Sequence, residues 1–121
     1  MLELFSVADN MSMNETYAPV EPGRAEMDAL EGPAMIEFGS PWCGHCRAAQ
    51  PLIAAALESH PGVRHFKIAD GPGQPLGRSF KVKLWPTLIF LEGGKERSRL
   101  VRPAAANEIA EALVEIDTAS R

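Results

Sequence analysis

The stretch of sequence over residues 38–51 reads FGSPWCGHCRAAQP and contains both cysteines of the chain, Cys43 and Cys46. It follows the mostly apolar run AMIEFGS (34–40), which is typical of a buried central strand. After it, apolar residues recur at helical spacing. Two cysteines three positions apart on a helix share a face and can close a small disulfide ring. The pair is therefore a structural disulfide, half of a metal site or a working dithiol.

The composition narrows these choices. The chain has 121 residues, 45% of them hydrophobic and 23% charged, and a formal net charge of −4, as expected for one globular domain. A negative balance argues against a nucleic acid or an anionic membrane as partner. No apolar run approaches the ~18 to 20 residues needed to cross a bilayer. The first residues lack the basic and then apolar pattern of a secretory signal, so we expect a reducing cytoplasm.

The remaining sequence predicts strands that alternate with helices. Strands are expected at 34–40, 63–70, 87–94 and 95–101, with a Gly-Gly turn between the last two and a further short strand near 16–20. Helices are expected at 22–30, from 40 onward, at 76–80 and at 104–116. This order predicts an α/β fold with helices on both faces of a sheet. We assign 1–15 to an N-terminal arm, 16–118 to the domain and 119–121 to a tail.

The position of the cysteines predicts different roles for them. Cys43 falls at a helix N-terminus, where unpaired N–H groups and the positive end of the helix dipole favour a thiolate. His45 adds a positive charge or an N–H donor beside it. Cys46 lies one turn further in, where it can attack a mixed disulfide formed at Cys43. We therefore interpret Cys43 as the nucleophile and Cys46 as the resolving cysteine.

A structural disulfide and a metal site fit this sequence less well than a dithiol. A permanent disulfide is rare in a reducing compartment. Zinc needs two further ligands, and neither His60 nor His65 has a partner cysteine pair, while His45 lies between the two cysteines. We therefore predict a redox site with no metal and no bound cofactor.

The segment AMIEFGSPWCGHCRAAQP, followed later by LWPTLIFLEGGK, resembles the thioredoxin family over roughly 22–116. Its Cys-Gly-His-Cys form is more similar to protein disulfide isomerases than to the Cys-Gly-Pro-Cys of typical thioredoxins. The resemblance implies the thioredoxin fold, with a central mixed sheet of four to five strands flanked by helices. It also implies that Glu37 is a buried acid beneath Cys46 that takes its proton, and that Lys67 partners this acid. A solvated strand charge at Glu37 and a surface lysine at Lys67 are the alternatives.

The resemblance also implies a substrate-binding surface. Pro86 matches the cis-proline of the family, and the backbone of Trp85 would then face the dithiol and pair with an extended substrate strand. Trp42 either shields the dithiol or packs its loop. Gly44 and Thr87 complete the predicted substrate contacts. A plain trans turn at Pro86 is the alternative.

Four positions depart from the family pattern. Glu37 stands where thioredoxins usually have Asp, and Gly39 replaces a common aromatic residue, which opens space near the site. Trp85 is bulkier than the usual aliphatic residue. Arg102, followed by Pro103, stands where the family often has a glycine that lets a partner approach. We therefore expect a general thioredoxin reductase to dock less readily.

Together these features predict a protein thiol–disulfide oxidoreductase, monomeric and cytoplasmic, with a redox potential of roughly −190 to −250 mV. Its expected partners are proteins with disulfides or thiols, and a thioredoxin-reductase-like or glutathione-based electron donor. A redox-sensing peptide-binding adaptor and a disulfide isomerase or oxidase are the alternatives.

Overall fold

Strands and helices alternate along the chain as the sequence predicts. The structure, a computed structural model, describes residues 13–118. Its strands are β1 (Pro33–Gly39), β2 (Arg64–Ala69), β3 (Thr87–Glu92) and β4 (Lys95–Val101). Its helices are α1 (Arg24–Asp28), α2 (Gly44–Leu57), α3 (Pro75–Ser79) and α4 (Ala106–Ile116). Within this part of the chain, no helix is both long enough and apolar enough to span a membrane.

The four strands form one mixed sheet in the order β2-β1-β3-β4. β1 runs parallel to β2 and antiparallel to β3, and β3 pairs with β4 as an antiparallel hairpin. β1 is therefore covered on both edges and both faces, which explains its nearly continuous apolar sequence. Its register places Glu37 directly opposite Lys67 of β2.

Alternating residues of the central strands build a separate core on each face of the sheet. Met35 and Leu88 pack with residues of α2 and α4 on one face. Ile36 and Ile89 pack with residues of α1 and α3 on the other. This is the period of two that a sheet covered on both faces requires. The predicted α/β architecture with helices on both faces is confirmed.

The hairpin turn between β3 and β4 falls on the predicted glycine pair. Gly93 and Gly94 have φ angles of 60° and 80°, in the left-handed region that glycine adopts without penalty. A Cβ on Gly94 would lie 2.0 Å from the carbonyl oxygen of Asp28, so the turn also packs closely against the end of α1.

The prediction of a strand near 16–20 is wrong, because the structure shows no strand there. The backbone N–H of Ala18 donates to the Lys67 carbonyl over 2.8 Å. Pro19 follows at once and has no N–H with which to extend a ladder. In the described part of the chain, the sheet thus has four strands rather than five.

The predicted arm and tail fall largely on residues 1–12 and 119–121, which lie outside the described residues. The last residues of the predicted arm contact β2. The backbone N–H of Asn14 donates to Nδ1 of His65 over 2.8 Å, and the carbonyl of Glu15 accepts from Lys67 Nζ over 3.2 Å. These contacts bring the chain before residue 16 close to the buried end of the dithiol site.

Candidate active site

Both cysteines lie at the start of α2, with their thiols reduced. Cys43 is the N-cap residue, and its Sγ accepts a hydrogen bond from the backbone N–H of Cys46 over 3.1 Å. The Sγ also lies 3.9 Å from the carbonyl oxygen of Trp85. A sulfur at an N-cap receives N–H donors and the positive end of the helix dipole, the environment that favours a thiolate.

Cys46 is in a different environment. Its side chain is 2% exposed, and burial raises the pKa of its thiol to about 12. The hydrogen bond with Cys43 and the charges of Cys43 and Glu37 contribute to this rise in pKa, whereas the Ser40 backbone opposes it. At neutral pH Cys46 is therefore a protonated thiol, and it needs a proton acceptor before it can attack. Cys43, by contrast, is half-buried, so the two sulfurs differ in their access to solvent.

Gly39 leaves a space beside Cys46 that Tyr17 occupies. A Cβ on Gly39 would lie 2.6 Å from Cys46 Sγ and 3.1 Å from the Tyr17 hydroxyl oxygen. Burial, followed by interactions with Cys46, Glu37 and Cys43, raises the pKa of Tyr17, so this hydroxyl remains a hydrogen-bond donor. The missing side chain at residue 39 thus brings a phenol to the resolving cysteine.

Glu37 is completely buried in β1, below the dithiol. Lys67 does not contact it directly, so the predicted pairing of these two side chains is corrected: Gln50 of α2 lies between them. Lys67 Nζ donates to Gln50 Oε1 over 2.8 Å, and Gln50 Nε2 donates to Glu37 Oε2 over 2.8 Å. The ammonium can only donate, so it fixes which end of the amide faces Glu37. Gln50 Nε2 also donates to the Cys46 carbonyl over 2.8 Å.

His65 of β2 holds the second oxygen of Glu37. His65 Nε2 and Glu37 Oε1 are 2.9 Å apart, and both side chains are 0% exposed. Because His65 Nδ1 accepts the N–H of Asn14, the ring proton must be on Nε2, which donates to Glu37. Asn14 Nδ2 also donates to the His65 carbonyl. Both carboxylate oxygens are therefore satisfied by donors from fixed elements.

The predicted substrate-binding residues near Cys43 differ in their exposure and in their contacts. Trp42 is 86% exposed, and Gly44 is exposed beside it. The Trp85–Pro86 peptide bond is cis, and the Trp85 indole donates to Asp70 Oδ2 over 2.9 Å.

Two predicted site residues make no contact with the thiols through their side chains. Thr87 is buried, and its hydroxyl donates to the Leu84 carbonyl over 2.6 Å, so it can meet a substrate only through its backbone. His45 is exposed on α2, next to Cys46 in sequence, and its ring has no hydrogen-bond partner among the described residues.

A further contact joins β4 to this surface. Arg102, one residue after β4, donates from Nε to the Trp85 carbonyl over 2.7 Å. Its backbone N–H donates to the Pro86 carbonyl over 2.9 Å, and its φ is 52°. Within residues 13–118, no cluster of three or more His, Cys, Asp or Glu side chains is arranged to hold a metal ion.

Sequence reasoning brought Cys43, Cys46, Glu37 and Lys67 to one site but missed the residues that connect them. Gln50 was detectable, since it lies four residues after Cys46 on the same helix face. His65 was detectable too, since it lies two residues before Lys67 on the same strand face. Tyr17 and Asn14 carried no such signal, because no periodic pattern fixes the path of the chain before α1.

Comparison with known proteins agrees with this geometry. The thioredoxin family model matches residues 24–115, and the chain belongs to the thioredoxin family. The structure of reduced thioredoxin 2 from Pseudomonas aeruginosa is similar, with a TM-score of 0.77 and 51% identity. That match covers 86% of this chain and 96% of the other. The predicted thioredoxin fold is confirmed.

Sequence relatives fall into two groups. Thioredoxin-2 of Saccharomyces cerevisiae is 32% identical over 76 residues, covering 61% of this chain and 73% of that protein. Protein disulfide-isomerase A2 of Pongo abelii is 40% identical over 90 residues, covering 69% of this chain. The chain spans 17% of the length of that isomerase, so the match concerns one part of a larger protein.

Proposed function

We propose that this protein is a thiol–disulfide oxidoreductase that reduces or exchanges disulfides in other proteins. The observation that carries the proposal is the hydrogen bond of 3.1 Å from the Cys46 N–H to Cys43 Sγ at the start of α2. This bond holds Cys43 Sγ at the helix N-terminus and places the second sulfur one helical turn away, inside the protein.

In the first step, the thiolate of Cys43 attacks one sulfur of a substrate disulfide. The substrate S–S bond breaks, a mixed disulfide forms at Cys43, and the departing substrate sulfur takes up a proton. The half-buried position of Cys43 beside the exposed Trp42 allows a protein substrate to reach it.

In the second step, Cys46 loses its proton and its sulfur attacks Cys43 Sγ. The Cys43–Cys46 disulfide forms, the substrate leaves as its second thiol, and two electrons have passed from the dithiol to the substrate. The raised pKa of Cys46 makes the proton acceptor essential. Glu37 is the acceptor we propose. Gln50 connects the two groups, since its Nε2 donates both to Glu37 Oε2 and to the Cys46 carbonyl over 2.8 Å.

The groove next to Cys43 supports an extended peptide as the substrate. The Trp85 carbonyl oxygen lies 3.9 Å from Cys43 Sγ, and backbone groups beside the nucleophile can pair with a peptide strand. Trp42 and Gly44 border the same approach. We propose proteins with disulfides as substrates, and a reductase or glutathione as the source of electrons.

The direction of exchange depends on the redox potential, for which we retain roughly −190 to −250 mV. In a reducing cytoplasm, the location we propose, such a dithiol is mostly reduced and acts as a reductant. The second candidate is a disulfide isomerase. The Cys-Gly-His-Cys sequence favours it, as does the similarity to proteins named as disulfide isomerases.

Insulin reduction with dithiothreitol tests the proposal. We expect catalytic precipitation of the insulin B chain by the wild type and none by Cys43→Ser. Equal rates for the two proteins would contradict the proposal. Equilibration with glutathione then separates the candidates, because a potential near −180 mV favours the isomerase and one near −270 mV the reductase.

A further inference from the structure

Arg102 is hydrogen-bonded to the Trp85 carbonyl group, with which a substrate strand would pair. Its Nε donates to the Trp85 carbonyl oxygen over 2.7 Å, and Cys43 Sγ lies 3.9 Å from the same oxygen. The guanidinium is thus fixed between the end of β4 and the backbone that faces the nucleophile. A peptide that pairs with Trp85 through this oxygen must displace the guanidinium or share the oxygen with it.

The backbone of Arg102 is unusual for a residue with a side chain. Its φ of 52° lies in the left-handed region, which glycine adopts far more readily. The backbone N–H is nevertheless held by the Pro86 carbonyl over 2.9 Å. Strained backbone retained beside a reactive group points to a functional role for the side chain it presents.

The sequence segments that contribute to the outer side of the dithiol site are rich in basic residues. The segments within four positions of Cys43, Trp85 and Arg102 contain no Asp or Glu, although the whole chain has a net charge of −4. Their ionisable side chains, apart from the cysteines, are basic: His45, Arg47, Lys81, Lys83, Arg99 and Arg102. The nearby carboxylate of Asp70 accepts the Trp85 indole N–H over 2.9 Å. Among these basic residues, Arg102 is placed beside Cys43 by its hydrogen bond to the Trp85 carbonyl.

Arg102 is available for an anion. It is exposed, and within residues 13–118 it forms no ion pair, unlike Arg99, which is paired with Glu96 at 2.6 Å. Its Nε is occupied by a neutral carbonyl, which is a weaker partner than a carboxylate. A carboxylate also matches the planar fork of a guanidinium in a way that a carbonyl does not.

We propose that Arg102 makes this groove select peptide segments that carry an Asp or Glu next to the target cysteine. The inference rests on the proposed function and names its substrate class. A carboxylate on the arriving peptide takes the guanidinium from the Trp85 carbonyl, and the freed carbonyl pairs with the peptide backbone. A neutral or basic neighbour offers Arg102 no such exchange, so its peptide binds with the carbonyl still covered.

Activated peptides of one sequence test the proposal. Each carries a single cysteine as its 2-pyridyl disulfide, with Glu, Gln or Lys beside it, and release of thiopyridone reports the attack of Cys43. Each rate constant is divided by that of dithiothreitol with the same peptide, which removes intrinsic differences in reactivity. For the wild type we expect Glu to exceed Gln by about two- to fivefold and Lys to react slowest, with the spread shrinking as salt is added.

Arg102→Gln should bring the Glu-to-Gln ratio close to one. Arg97→Gln is the matched control, because Arg97 is an exposed arginine of β4 whose contact is Glu92 at 3.3 Å. This control removes the same charge and should keep the wild-type ratio. Equal rates for all peptides in the wild type, or a ratio that survives Arg102→Gln, would overturn the inference and leave the proposed function intact. If Cys43→Ser matches the wild type with every peptide, the proposed function itself fails.

Discussion

The hydroxyl of Tyr17 and the sulfur of Cys46 meet in the space that Gly39 leaves open. A Cβ at residue 39 would come within 2.6 Å of the sulfur and 3.1 Å of the hydroxyl oxygen. Lys67 Nζ lies 4.9 Å from the centre of the same Tyr17 ring. A segment before the first helix thus completes the buried side of a site whose reactive side is formed by α2.

Gly39→Ala should disturb the resolving cysteine directly. The new methyl group must displace Cys46 or Tyr17, so we expect a loss of about 1–3 kcal/mol in the free energy of unfolding and slower substrate turnover. Urea denaturation and insulin reduction measure the two effects. Gly62→Ala is the control, since no atom lies within 4 Å of the Cβ it would add. Equal stability losses for the two variants would refute the close contact at Gly39.

Tyr17→Phe removes only the hydroxyl group beside Cys46. The phenol can donate to the Cys46 sulfur as negative charge develops there, so its loss should slow the second step and leave the first unchanged. We expect the mixed disulfide to persist about two- to tenfold longer, as measured by quenched-flow mass spectrometry. An unchanged lifetime would show that the hydroxyl only fills space.

The two thiols should differ widely in reactivity with pH. Burial raises the pKa of Cys46 to about 12, so at pH 8 only about one Cys46 in ten thousand is a thiolate. Iodoacetamide should therefore modify Cys43 alone near neutral pH. Modification of Cys46 should increase steadily as the pH rises toward 12. Peptide mapping after alkylation at several pH values checks this, and rapid labelling of both cysteines at pH 8 would contradict it.

His65→Ala should impair both stability and resolution. It removes the Nε2–H donor from a fully buried Glu37 oxygen, and a buried acceptor without a partner costs about 1–3 kcal/mol. A displaced carboxylate should also take the proton of Cys46 less well, which prolongs the mixed disulfide. Denaturation and stopped-flow measurements test the two parts.

His60→Ala is the matched control for that variant. His60 is also buried and bonded to a carboxylate, with Nδ1 2.7 Å from Asp117 Oδ2. His60 lies just after the C-terminal end of α2, and the dithiol lies at the opposite end of this helix, which is about 20 Å long. It should cost comparable stability and leave the mixed-disulfide lifetime unchanged. Equal lifetimes in both variants would assign His65 a purely structural role.

The sequence predicts the elements that follow a strong period or a clear turn signal. The apolar run of β1, the helix after Cys43 and the Gly93-Gly94 hairpin are all present. The strand near 16–20 fails because local residue preferences say little about where an irregular segment docks. Pro19 also removes the N–H that a ladder requires.

In the candidate active site, too, only the features that follow a local pattern could be predicted. The spacing of Cys43 and Cys46 fixes their geometry within one helix, so their unequal environments could be predicted. The acid network joins β1, α2, β2 and residues 14 and 15, and no local pattern orders contacts between elements. The side chain of Glu37, longer than that of an aspartate, reaches both His65 and Gln50. Lys67 in turn donates to the side-chain amide of Gln50.

Trapping the mixed disulfide tests the central claim, that Cys43 attacks and Cys46 resolves, most directly. Cys46→Ser and Cys43→Ser are each incubated with a peptide disulfide, and the adducts are located by mass spectrometry. We predict a stable adduct on Cys43 in the first variant and almost none in the second. An adduct that forms on Cys46 as readily as on Cys43 would contradict these roles.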